Sequence, residues 1–108
     1  MNRGELWTVA GGVYSSKPRP AVIAQDDAFA GTDSVTVLPL TSVLLDAPLL
    51  RVRLEKSALT GLERDSDVMI DKATTIRRSS AVSRIGRVPS EKVVEIERAL
   101  MVFLGLAR

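Results

Sequence analysis

The chain has 108 residues, 45% of them apolar, a net charge of +2 and neither cysteine nor histidine. That length fits one compact domain spanning residues 1–108, with enough apolar content for its own core. The missing residue types exclude disulfides, thiolate or imidazole metal sites, and any catalysis that relies on a histidine base. What remains for chemistry is Arg, Lys, Asp, Glu, Ser, Thr and the single Tyr14. Most of the basic residues are arginines, whose planar fork suits phosphate better than a lysine ammonium does.

Glu5 to Ala10 alternates loosely and runs into Gly11-Gly12, which predicts a strand ending in a turn. A polar loop follows to Pro20, and Ala21 to Ala24 reads as a short buried strand. Asp26 to Gly31 suits a turn or one helical turn. Ser34 to Leu40 is rich in β-branched residues and predicts a strand that ends near Pro39. Leu50 to Leu54 alternates strictly, with Arg51 and Arg53 on the polar side. Asp67 to Asp71 predicts a further strand, and Thr74 to Ser79 a helical turn or loop. Ala81 to Val88 alternates with a slip of phase near Ser83, as a bulge gives. Pro89-Ser90-Glu91 marks a helix start with Ser90 as cap. Val93, Ile96, Leu100, Phe103 and Leu104 then form an apolar stripe that stops at Gly105. Six short strands and one terminal helix predict an α+β, mostly β domain. Its sheet is expected to be antiparallel and curled, with the helix covering a face or an open end. No secretory signal or membrane-length apolar stretch is present, so a cytoplasmic protein with no membrane contact is expected.

Five blocks in order resemble the MazF/PemK family of toxins. They are Arg3-Gly4-Glu5-Leu6-Trp7, Arg19-Pro20-Ala21-Val22-Ile23 with the acidic turn after it, Val37-Leu38-Pro39-Leu40-Thr41-Ser42, Ser66 to Lys72, and Arg84-Ile85-Gly86-Arg87-Val88. Together they cover nearly the whole chain. The resemblance implies a curled SH3-like barrel of the MazF/CcdB kind that forms a homodimer. It also implies the toxin of a type II toxin–antitoxin system, a sequence-selective endoribonuclease that cuts single-stranded mRNA. The cut uses the neighbouring 2′-hydroxyl, needs no metal or other cofactor, and leaves a 2′,3′-cyclic phosphate and a 5′-hydroxyl. A cognate antitoxin with an acidic, partly disordered tail is the implied partner that blocks the groove.

Carried over residue by residue, the family's catalytic arginine falls on Arg19 and its catalytic threonine on Thr41. Pro18 and Pro20 stiffen the backbone on either side of Arg19, which suits a side chain that must be aimed at developing phosphorane charge. Thr41 has a hydroxyl able to donate to a phosphate oxygen, although a threonine there also bonds readily to its own turn. Asp71 falls where some members carry an acidic residue that acts as base or orients the substrate. Met69 stands in place of an arginine that some members have two residues earlier, which weakens an Arg-plus-Asp pairing on that strand. Lys17, Ser42, Arg51, Arg53, Arg77 and Arg78 are candidates for RNA contacts, each also readable as ordinary polar surface. Tyr14 is the better candidate for stacking on a base, whereas Trp7, mid-strand among apolar neighbours, suits core or dimer packing. Two other classes fit the same residues: a CcdB-like gyrase poison without a catalytic site, and an inert relative that only binds antitoxin.

Overall fold

In the computed structural model, residues 1–10 and 17–107 are described. Tyr14 therefore lies outside the described residues. Seven strands appear: β1 (Glu5–Val9), β2 (Arg19–Ile23), β3 (Ser34–Thr41), β4 (Arg51–Leu54), β5 (Ser66–Met69), β6 (Thr74–Arg77) and β7 (Ala81–Arg87), followed by α1 (Ser90–Phe103). All pairings are antiparallel, in the order β4-β5-β3-β2-β1-β7. The expected mostly β, curled antiparallel architecture with a terminal helix is what the chain adopts.

The strand count differs from expectation. Thr74 to Arg77 is a strand, not a helical turn or loop, and pairs with Ser34–Val37 of β3. Two threonines and an isoleucine favour extended backbone, but only the long β3 gives them a partner. β3 is the hinge of the curl. Its first half pairs with β6, and its last two residues, Leu40 and Thr41, pair with β5. The strand read over Asp67 to Asp71 ends at Met69, and Ile70–Lys72 tightens into a 3-10 turn that redirects the chain into β6. β7 carries irregularities on both sides of Ser83 where it pairs with β1, which accounts for the slip of phase in its sequence.

Alternation along each strand sends side chains into two clusters. Leu6, Val22, Leu38, Leu40, Val52, Val68 and Ile70 form the larger, closed by Ile96 and Val93 of α1. Val9, Ala21, Ile23, Val35 and Val37 form the smaller, with Trp7 packed against it. Trp7 is thus a packing residue, and its indole N–H donates to Glu5 Oε1 at 3.0 Å. Glu5 also accepts from the Asn2 amide at 3.0 Å and pairs with Arg84 at 3.3 Å.

The helix begins one residue earlier than its sequence suggests. Pro89 holds the cap position, Ser90 is the first helical residue, and no side chain caps the end. Proline fits there because the lost N–H has no helical partner. At the other end Gly105 takes φ +74°, while Leu106 N donates to Met101 O at 2.8 Å and Gly105 N to Val102 O at 3.1 Å. This paired closure satisfies the last carbonyls. The apolar stripe is buried only through Leu100, since Phe103 and Leu104 are exposed. The stripe outruns the sheet beneath it. Among the described residues, no helix is long and apolar enough to cross a membrane.

Candidate RNA-binding site

Two clefts meet at the start of β2. The first, about 330 Å³, has an apolar floor from Val9, Ala21, Val37 and Ile76 and is rimmed by Lys17, Arg19, Thr41 and Lys72. Its described lining contains three cations and no carboxylate. The second, about 580 Å³, runs from Lys17 and Arg19 past Ser42 and Ser66 to Glu63 and Arg64. Both share Lys17, Arg19, Pro20 and Leu40, so Arg19-Pro20 is a ridge between them.

Backbone pairing makes this junction. Arg19 is placed by its pairing with Val9 on β1, and β2 in turn lies against β3 through Ala21↔Pro39 and Val22↔Leu38. Thr41, at the far end of β3, thereby borders the cleft that Arg19 overhangs. The Arg19 side chain is exposed and makes no ion pair or hydrogen bond with any described residue. Thr41 Oγ1 accepts from the Val43 amide at 3.1 Å. An oxygen used as acceptor in this way keeps its hydroxyl hydrogen for another partner.

The floor of the second cleft depends on two glycines. Thr60-Gly61 lies directly against Ile85-Gly86, where an added Cβ on either glycine would collide with backbone. Gly61 also has φ +68°, a conformation costly for other residues. The buried Thr60 hydroxyl holds this loop, donating to Glu55 O at 3.2 Å and accepting from Ser57 N at 3.1 Å.

The other sequence-derived candidates lie elsewhere. Asp71 sits in the turn after β5 and pairs with Arg51 at 2.8 Å; the Arg51 side chain is only 15% exposed, and neither residue lines either cleft. Arg51 Nε is buried without a partner. Arg53 pairs with Asp67 at 2.5 Å. Arg77 is exposed on β6, outside both clefts, and Arg78 Nε donates to Thr32 O at 2.8 Å, fastening the start of β3. Ser42 lines the second cleft. The structure thus brings Lys17, Arg19 and Thr41 together, with Ser42 next door.

Sequence reasoning missed Lys72, Arg64 and Asp67. Lys72 was legible only as part of a family block, and nothing in its own neighbourhood points to a cleft formed by β2 and β3. Asp67 was assigned only to a strand. Burial pushes its carboxyl up, but the hydrogen bonds from Arg53 and the Leu45 amide, with the charges of Arg53 and Arg51, hold it below the usual aspartate range. The same pairing raises the Arg53 guanidinium.

A small antiparallel sheet curled about a long central strand, with a cation-rimmed cleft on one face and a helix on the other, defines a class of compact, mostly β domains. Residues 2–104 match the family described as PemK-like, MazF-like toxin of type II toxin-antitoxin system. The chain belongs to that family. It is 52% identical over 99% of both chains to a protein named probable endoribonuclease MazF from Mycolicibacterium smegmatis. It is also 29% identical, over 98% of both chains, to endoribonuclease MazF9 of Mycobacterium tuberculosis. Among solved structures, a mycobacterial endoribonuclease described in complex with its cognate antitoxin superposes with a TM-score of 0.83 at 23% identity, covering 100% of this chain and 98% of that one. A MazE–MazF structure from Deinococcus radiodurans superposes with a TM-score of 0.81 at 21% identity, covering 99% and 97%. At these identities the two superpositions speak for the fold.

Proposed function

We propose that this protein is the toxin of a type II toxin–antitoxin pair, an endoribonuclease that cuts single-stranded RNA by the 2′-hydroxyl route. The observation that carries the reading is the junction at Arg19: a cleft of about 330 Å³ with an apolar floor, rimmed by Lys17, Arg19 and Lys72 and flanked by the Thr41 hydroxyl. Family membership and the names of the full-length relatives supply the reaction class. A phosphate seated on the ridge meets a guanidinium that no described residue neutralises, and the strand on either side of it enters one of the two clefts.

In the proposed step the 2′-oxygen forms a bond to phosphorus and the bond to the 5′-oxygen breaks. The proton of the 2′-hydroxyl is released, and the departing 5′-oxygen gains one. The products are a 2′,3′-cyclic phosphate and a 5′-hydroxyl. Arg19 opposes the charge that builds on the phosphorane, and the Thr41 hydroxyl donates to a non-bridging oxygen. The nucleophile belongs to the substrate, so the protein supplies placement and charge. Asp71, bound to Arg51 beside Met69 of the cleft wall, is assigned an orienting part and not that of a base. Cations in this arrangement replace the charge that a metal would otherwise bring, so the reaction is assigned as metal-independent.

An acidic antitoxin tail suits the same cation-rimmed cleft, and inhibition follows by occlusion. Val43, Leu44, Leu45 and Leu49 on one side, with Met101, Phe103 and Leu104 on the helix end, are exposed apolar residues beyond what the core uses. They support a homodimer, in which a two-fold axis would lengthen the basic track. Sedimentation at micromolar concentration is expected to give a dimer.

The test is a purified protein incubated with long RNA in excess chelator. Discrete fragments bearing cyclic phosphate and 5′-hydroxyl ends are expected. Fragments with 5′-phosphates that require magnesium would overturn the mechanism. Absence of cleavage together with inhibition of gyrase would favour a non-enzymatic poison.

A further inference from the structure

One buried carboxylate has no part in the site described so far. Asp67 is 1% exposed. It lies opposite Thr41 in the β3–β5 pairing and opposite Arg53 in the β4–β5 pairing. Residues paired across antiparallel strands share a face, so Thr41, Asp67 and Arg53 form one row across three strands. The chain that leaves Thr41 folds back over this row. Asp67 Oδ2 accepts from the Leu45 amide at 2.9 Å, and Oδ1 accepts from Arg53 Nε at 2.5 Å. The segment after Thr41 is therefore fastened at two points, Val43 N to Thr41 Oγ1 and Leu45 N to Asp67.

We propose that Asp67 is a positioning residue: by clamping the Leu45 amide it holds the Ser42–Leu45 turn in the shape that keeps Thr41 Oγ1 an acceptor from Val43 and aims the Thr41 hydroxyl hydrogen into the cleft. The inference rests on the reading of Thr41 as a donor given above. A hydroxyl with no fixed acceptor bond rotates among several directions, and transition-state donors act through fixed direction. Arg53 supplies the cation that lets a carboxylate stay ionised under the sheet surface. Its assignment thereby shifts from tracking RNA to sustaining the clamp.

The decisive variant is Asp67→Asn in the full-length protein. An asparagine has nearly the same shape, but its oxygen fills only one of the two positions at which Oδ1 and Oδ2 accept, and its NH2 donor meets Arg53 or the Leu45 amide at the other. Its kcat on single-stranded RNA is expected to fall by about ten- to a hundredfold with KM nearly unchanged. Amide exchange at Val43 and Leu45 should accelerate while that of β2 stays protected. In a Thr41→Ala background the same change should cost nothing further, because both act through one hydroxyl. Unaltered exchange at Val43 and Leu45 overturns the clamp, as does a KM effect with kcat preserved. A fully active Thr41→Ala protein instead overturns the role of Thr41, and with it the catalytic half of the proposal. If Asp67→Asn does not fold, the wild-type protein answers. On acid titration the amide proton resonances of Leu45 and Val43 should move together, with one midpoint below the usual aspartate range; separate midpoints overturn the coupling.

Discussion

Arg19 and the two arginines of β4 look alike in sequence, basic residues at strand positions beside apolar neighbours, and the fold treats them in opposite ways. Arg51 and Arg53 lie next to β5, whose register sets Arg53 against Asp67, while the turn that follows delivers Asp71 to Arg51. Each is neutralised by an aspartate from a neighbouring element. Arg19 pairs through its backbone with Val9, and the strands on either side of it, β1 and β3, bring it no carboxylate among the described residues. Ion pairs of partly buried groups serve the fold, whereas an arginine without a partner beside an apolar cleft keeps its charge for a ligand.

The largest expected effect on this contrast is that of Arg19→Ala. It should lower the cleavage rate by about a hundred- to a thousandfold and leave the unfolding transition in place. A folded, fully active variant would break the comparison outright. Thr41→Ala follows, with a loss of about a hundredfold in kcat; Thr41→Ser, which keeps the hydroxyl, should retain most of the activity.

Next comes stability on the β4 side. Removing Asp67 with Asp67→Ala leaves Arg53 and the Leu45 amide without their acceptor. It should cost on the order of 2 kcal/mol, below the value usual for a fully buried pair because Arg53 remains hydrated. The sign of the pH dependence follows from the depressed pKa of Asp67. Its stabilisation is fully present above the unfolded value of about 3.9 and is lost as pH falls through the lower folded value. Denaturant titrations at several acid pH values should show wild type losing its advantage over Asp67→Asn in that window. The smallest and most discriminating effect is on salt. Arg19→Ala should reduce the slope of log affinity for uncleavable 2′-deoxy RNA against log salt by about one, while Arg51→Met should leave it unaltered. Equal slopes for the two would mean that paired and unpaired arginines contribute alike.

Several local features could be read without the fold. The alternation over Leu50 to Leu54 yielded β4 within a residue, the slip near Ser83 marked the irregular pairing of β7, and Gly105 ended the helix through its positive φ. Where local reading failed, a distant partner had decided the outcome. Thr74 to Arg77 became a strand because β3 extends far enough to pair with it. Phe103 and Leu104 kept helical periodicity but reached no core.

What the sequence determined by itself was the list of possible chemistries and the elements that could carry them, because residue type and short-range periodicity are local properties. Lacking histidine and cysteine and rich in arginine, the chain is confined by composition alone to charge and hydroxyl chemistry. That Arg19 meets no carboxylate among the described residues, which aspartate is buried, and whether Thr41 shares a cleft with Arg19 were decided by tertiary structure alone. Those outcomes depend on the register between strands and on the curl about β3, and both are set by burying two apolar clusters at once rather than by any residue's own neighbours in sequence.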